Sequence, residues 1–195
     1  MGVWSGMSTA LARKRASFYT ATGPSAVVRP TAPTEIAQVL TDAKRYPSPV
    51  RPVGSASSTT RCTTANGGTI MDLSAMNRVL RIEDDTVTVQ PGIALPDLAE
   101  ILAEQGKELV GGFDLANRTV GGAVFGAGLE ATIAGDAGQF GAHAVQLKIV
   151  SPTGRKFVVN QNTKSLLALL RLSYGLLGVA YEVTLKIRPV QGFTV

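Results

Sequence analysis

AVVRPTAPTEIAQVLTDAKRYPSPVRPVGSASS, running from Ala26 to Ser58, decides how this chain is to be read. AVVRP is a short apolar run closed by a proline, which predicts a buried strand. The next segment, TAPTEIAQVLTDAKRY, predicts an amphipathic helix. Thr31 is positioned as its N-cap, Pro33 falls in its first turn, and Ile36, Val39, Leu40 and Ala43 recur at helical spacing. PVRPVG then predicts a second strand. Strand, helix, strand is the grammar of a small parallel sheet, and the hydroxyl-rich loop GSASS sits directly at the second strand's end.

Further along, GTIMDLSAMNRVL supplies a third strand. VLRIEDDTVTVQPG places Leu80 and Ile82, then Val87 and Val89, on either side of an acidic turn, as a hairpin would. LPDLAEILAEQG is the clearest helix: Pro96 in the first turn, Asp97 and Glu100 complementing the positive end, Leu95, Leu98 and Leu102 on one face, Gly106 at its close. AVQLKIV, the turn SPTG and KFVV predict another hairpin. NTKSLLALLRL predicts a short apolar helix. In YEVTLKIRP, Tyr181, Val183, Leu185 and Ile187 alternate with Glu182, Thr184, Lys186 and Arg188, which predicts one buried and one solvated face. The expected fold class is therefore α+β and two-lobed: a basic segment over 1–23, a small parallel α/β lobe over about 24–75, and a larger, mainly antiparallel lobe over about 76–190.

Composition narrows the function classes. With 195 residues, 45% of them hydrophobic, the chain can bury a real core. Its longest apolar stretch, TVGGAVFGAGL, is far shorter than the roughly 20 residues a membrane helix needs, so no membrane span is expected. A single cysteine, Cys62, rules out an internal disulfide framework and multi-cysteine metal sites, and it fits a reducing, cytoplasmic location. Of the 19 basic residues, four (Arg13, Lys14, Arg15 and Arg29) lie in the acid-free first 34 positions. The remainder is nearly neutral, without the basic stripe that nucleic-acid binding requires. A short surface helix is a better reading of the basic start than a transit peptide.

Chemistry is expected where glycines and hydroxyls gather. From Gly111 to Gly141 there are nine glycines, interleaved with small residues. Glycine costs about 1 kcal/mol in a regular element, so such a density suggests close backbone approach to something. Together with Gly54 to Ser58, the amides of Gly121 and Gly122 could form a phosphate cradle at the junction of the lobes. Neither stretch is a Walker loop or a strand-to-helix GxGxxG, and a set of ordinary turns is the competing reading.

Six collinear blocks sharpen this: VRPVGSASS, MDLSAMNRVLRI, VTVQPGIALPDLAEILAEQG, TVGGAVFGAG, GQFGAHAVQLKIVSPTG and LSYGLLGVAYEVTLKIRP. In order and spacing, over about 24–190, they resemble the PCMH-type FAD-binding domain of the vanillyl-alcohol oxidase family, nearest its aldonolactone oxidoreductases and decaprenylphosphoryl-ribose oxidases. The resemblance implies FAD as cofactor. It assigns Val53, Gly54, Ser55, Ala56, Ser57 and Ser58 to the pyrophosphate. Thr119, Val120, Gly121, Gly122, Gly126 and Gly128, with the turn Gly138 to Gly141, are assigned to the flavin and its phosphates, and Gly178 with Val179 to the adenine. Ser57 stands where many relatives carry a flavin-linking histidine, which implies noncovalent FAD. Ala56 replaces a family glycine, and Leu129 and Glu130 replace a usual His-Gly pair. The family's substrate-binding cap domain would begin where this chain stops, so a second polypeptide or self-association is the expected partner.

Other polar residues are weaker candidates. A structural role is the better reading for His143, an incidental loop position for Cys62, turn formation for Asp114 and Asp136, and packing for Tyr174 and Trp4. No residue is singled out as a catalytic base, and no metal is expected. The functional expectation is a flavin-binding domain or subunit of an oxidoreductase acting on an alcohol, sugar or lactone. The alternative is a degenerate, cap-less module that acts as a partner or assembly protein.

Overall fold

The computed structural model describes residues 23–58, 61–111, 117–126 and 138–191. The opening stretch folds as its pattern demands. Strand β1 (Ala26–Val28) leads through helix α1 (Pro33–Thr41) into strand β2 (Val50–Val53), and strand β3 (Thr69–Asp72) inserts between them to give a parallel sheet of order β1-β3-β2. Central β3 is buried along its whole length, as a strand flanked on both edges and covered on both faces must be. Helix α1 begins one residue later than its sequence suggests. Ala32 occupies the N-cap, while Thr31 ties the first turn differently: its amide and hydroxyl both donate to the Glu35 carboxylate, at 2.6 and 3.2 Å. The helix ends at Thr41, so Ala43 lies outside it.

The larger sheet has the order β4-β5-β9-β7-β8, built from β4 (Val79–Ile82), β5 (Thr86–Val89), β7 (Ala144–Val150), β8 (Lys156–Asn160) and β9 (Val179–Pro189). Strand β6 (Lys107–Leu109) pairs with the far end of β9. Helices α2 (Leu95–Ala103), α3 (Val120–Phe125) and α4 (Lys164–Arg171) pack their apolar faces on it through Leu95, Leu98 and Leu102, Val120 and Val124, and Leu167 and Leu170. Arg171 anchors the end of α4 by donating from Nε to the Ala144 carbonyl at 3.1 Å, and its burial pushes the guanidinium pKa down.

Two strand alternations and two helix-end readings differ from their expected form. Leu80 is 42% exposed because the β4–β5 register shifts between Val79 and Arg81. Thr184 is buried rather than solvated, since β9 is an interior strand and its hydroxyl bonds the directly opposed Thr88 at 3.0 Å. Gly106 does take a left-handed conformation (φ 67°), but two residues beyond Glu104, which occupies the C-cap of α2. Asp97 is the acid in the first turn of that helix; Glu100 lies deeper.

The two sheets share one interior. Ile36 and Val39 of α1 and Met71 of β3 pack in a single buried cluster with Val150 of β7 and Val179 of β9. The backbone seals the same seam: the Gly92 amide donates to the Met76 carbonyl at 2.8 Å, and the Met76 amide donates to the Leu73 carbonyl at 2.9 Å. Just before it, Asp72 receives the Arg29 guanidinium at 2.8 Å and caps the Ser74 amide at 2.9 Å, fixing the exit of β3. Asp72→Ala therefore removes a charge-assisted bond and a cap together. Its unfolding free energy in urea is expected to fall by about 2–3 kcal/mol, and that of Asp72→Asn, which keeps the cap oxygen, by less. Equal losses in the two variants would contradict this assignment.

Candidate functional site

A cleft of about 370 Å³ opens between the lobes, a size within the usual range for cofactor pockets. From the small sheet it receives the end of β2 and the loop Gly54 to Ser58; from the large one, the start of α3 and the entry to β9. The two loops meet at Gly54. A Cβ built there would lie 2.1 Å from Thr119 Oγ1, so only glycine permits this contact. The opposite wall is equally tight: Gly175 (φ 77°) rests on Pro52, and Gly178 (φ 146°) lies against Ile149 and the Val150 carbonyl.

The donors are distributed unevenly. Gly121 N–H is already committed to the Pro91 carbonyl at 2.8 Å, and Gly122 N–H faces Thr119 Oγ1, the N-cap of α3, at 3.3 Å. These amides therefore serve the fold, contrary to the expectation that they would cradle phosphate. The amides of Ser55, Ala56 and Ser57, by contrast, have no partner among the described residues. Ala56 holds φ at 53°, a left-handed conformation uncommon for any residue with a Cβ. Turns of that hand let consecutive N–H groups converge on an anion, and strain of this kind is characteristic of functional loops. Ser55 and Ser57 join hydroxyls at 3.2 Å beside them, and Cys62 Sγ lies 3.3 Å from Ser58 Oγ.

Of the residues singled out from sequence, the cleft brings together Val53, Gly54, Ser55, Ala56, Ser57, Ser58, Thr119, Gly121, Gly122, Gly126, Gly178 and Val179. It does not bring in three others. Val120 is fully buried in the core, Gly141 packs against the Val124 carbonyl, and Gly138 lies off the lining. Gly128, Leu129, Glu130, Asp114, Asp136 and Trp4 lie outside the described residues. His143 is buried beneath Gly111, away from the cleft. Tyr174, expected to pack, instead stands 39% exposed on the cleft wall at φ 51°. Sequence reasoning missed Arg118, the only charged side chain among the described lining residues. Its position directly before TVGG was the available signal.

Comparison with known proteins decides the family. The FAD binding domain family matches residues 24–160. This chain belongs to it. As an FAD-binding domain it is 33% identical, over 86% of its length, to an L-gulono-1,4-lactone dehydrogenase of Mycobacterium tuberculosis. It is 32% identical, over 89%, to the mitochondrial D-lactate dehydrogenase (cytochrome) of Arabidopsis thaliana. It spans only 38% and 32% of those two proteins. Among solved structures, 6-hydroxy-D-nicotine oxidase of Arthrobacter nicotinovorans shares the fold with a TM-score of 0.75 at 17% identity. That match covers 88% of this chain and 38% of that one. An alkyldihydroxyacetonephosphate synthase shares it with a TM-score of 0.68 at 23% identity, over 84% of this chain and 34% of that one. The two-lobed α+β architecture is thus that of an FAD-binding domain. The cleft suits FAD chemically: its loop presents to a diphosphate amides that are unpartnered among the described residues, and Leu73, Pro91 and Phe125 offer apolar surface to flat rings.

Proposed function

We propose that the interlobe cleft holds FAD noncovalently and that the chain is the flavin-binding domain or subunit of an oxidoreductase acting on an alcohol, sugar or lactone. The observation that carries this reading is the left-handed turn at Ala56, with the Ser55, Ala56 and Ser57 amides unpartnered among the described residues at the mouth of a glycine-lined cleft. Val53 to Ser58 would wrap the pyrophosphate. Thr119, Gly121, Gly122 and Gly126 would meet the flavin and its phosphates by close approach rather than by amide donation, and the Gly178–Val179 backbone would meet the adenine. Val120, Gly138 and Gly141 would support this arrangement from behind. A bound flavin supplies two-electron redox chemistry; the protein's part is to bind, orient and shield it.

Ser57 offers no imidazole for a covalent link. Substrate class follows only from the similarity to a lactone and a hydroxy-acid dehydrogenase. The substrate-binding part would come from a further segment, a second polypeptide or a second copy, and exposed Leu169 and Leu176, each 65% accessible, give such a partner an apolar surface. No helix among the described residues is long and apolar enough to cross a membrane, which together with the single cysteine fits a cytoplasmic protein.

The test is the visible spectrum of the purified chain before and after added FAD. Bands near about 370 and 450 nm that survive desalting, with all flavin released on denaturation, are expected. A protein that stays colourless after FAD addition would refute the reading, and flavin that stays attached to denatured chain would refute its noncovalent part.

A further inference from the structure

We infer that two copies of this chain pair through the outer face of α4 and the loop that follows it, Leu166 to Leu177, so that a second copy stands beside the interlobe cleft. A surface helix of a monomer is expected to be apolar on one side only. Between Lys164 and Arg171, α4 carries apolar side chains on both. Leu167 and Leu170 are buried in the core of the large lobe, and on the opposite side Leu166, Leu169 and Leu172 are exposed beside Ser165 and Ala168. The following loop adds exposed Leu176 and Leu177. These five leucines leave on the order of 500 Å² of apolar surface in water, near the upper end of what a monomer exposes. Tyr174 and Gly175, in the same stretch, line the cleft, so the covered face continues into its wall.

Charge and area favour a second copy as the occupant. From Ser165 to Tyr181 the only charged residues are Arg171, whose Nε donates inward to the Ala144 carbonyl at 3.1 Å, and none other. The face therefore holds no charge for a foreign partner to match, and none that repels its own image in a chain of net charge +5. A membrane surface is disfavoured for the same reason, since a helix lying on lipid needs a strongly cationic polar side. A standard interface takes about 800 Å² from each partner, and the exposed, uncharged Gln161, Asn162 and Thr163 extend the leucine patch toward that size as a polar rim. A two-fold axis near Leu169 sets the two helices antiparallel. Leu166 of one copy then faces Leu172 of the other, the small Ser165 and Ala168 allow close approach, and each Lys164 lies toward the other helix's C-terminus, where a cation is favoured.

The experiment is sedimentation equilibrium of the full, unliganded chain and of its Leu169→Glu, Leu176→Glu and Leu80→Glu variants, from about 1 to 100 μM, with circular dichroism of each. The parent is expected to be a dimer. Leu169→Glu and Leu176→Glu should each weaken association by about 100-fold or more, because each puts a charge into a desolvated apolar seam. Both positions are exposed, so the dichroism spectra should match the parent's. Leu80→Glu, at an exposed leucine of β4 outside the face, should leave the dimer intact. A parent that is monomeric at the highest concentration would overturn the inference, and one that is monomeric yet sediments with phosphatidylcholine–phosphatidylserine vesicles would give the face to lipid instead. A dimer that survives the substitutions at 169 and 176, or that Leu80→Glu dissociates equally, would overturn it as well. None of these outcomes bears on the cofactor, whose binding is read separately from the visible spectrum.

Discussion

Gly92→Ala is expected to cost the fold about 3 kcal/mol or more, the largest loss of any single substitution considered for this protein. A Cβ at residue 92 would lie 2.0 Å from the Leu73 carbonyl oxygen and 2.8 Å from that of Met76. Neither can retreat. The Leu73 carbonyl accepts the Met76 amide at 2.9 Å, and the Met76 carbonyl accepts the Gly92 amide at 2.8 Å, so relief of the clash breaks the hydrogen bonds that seal the lobes. Met76, fully buried, would move with them. Overpacking alone costs about 1–3 kcal/mol, and the broken backbone bonds add to it, so a loss of about 3 kcal/mol or more is expected from a total of about 5–15. Urea unfolding followed by circular dichroism measures it. A midpoint within error of the parent's would mean that the seam is softer than its geometry implies.

Gly54→Ala should act differently, because what its Cβ meets is a side chain. Thr119 Oγ1 would lie at 2.1 Å and Thr119 Cγ2 at 2.9 Å, and Thr119 can be pushed aside at the cost of the N-cap of α3. The fold should survive with a loss of about 1–2 kcal/mol, the usual worth of a cap. The two loops of the cleft would separate, and FAD affinity is expected to fall by about 100-fold, roughly 2.7 kcal/mol. Shortening the obstacle tests the cause. In Gly54→Ala/Thr119→Ala the atoms at 2.1 and 2.9 Å are gone and the Thr119 Cβ position, at 3.0 Å, is the closest that remains, so most of the affinity should return despite two substitutions. Titration of FAD into the four proteins of this cycle gives the coupling directly. If the two losses simply add, the loops are not in register through this contact.

Both predictions concern glycines, and glycine marks the limit of what a one-dimensional reading conveys. GSASS and TVGG stood out as places where backbone comes close to something. That Gly54 faces Thr119, Gly92 faces Leu73 and Gly178 faces Ile149 depends on pairs distant in the chain, and these contacts are internal. Gly92 therefore serves the junction of the lobes, and Gly178 packs on β7 within the large sheet as well as lining the cleft, although composition alone reads them alike. The amides of Gly121 and Gly122 illustrate the same point: their sequence resembles a phosphate cradle, yet Pro91 and Thr119 consume them. Val179 serves both sides: it lines the cleft, where its backbone is the part assigned to a ligand, while its side chain belongs to the shared core beneath α1.

The local periodicities were enough to place most strands and helices, because alternation and i, i+3, i+4 spacing record which face of an element is buried. They also gave the split into a parallel and an antiparallel sheet, since a helix between two strands permits the first and short turns favour the second. They could not give the order β4-β5-β9-β7-β8, the interior position that buries Thr184 against Thr88, or the placing of Arg118 on the cleft wall. Each of these is set by which elements pack side by side. Periodicity reports that a residue is covered; the tertiary structure alone determines what covers it, and with that which amides and charges remain to meet a ligand.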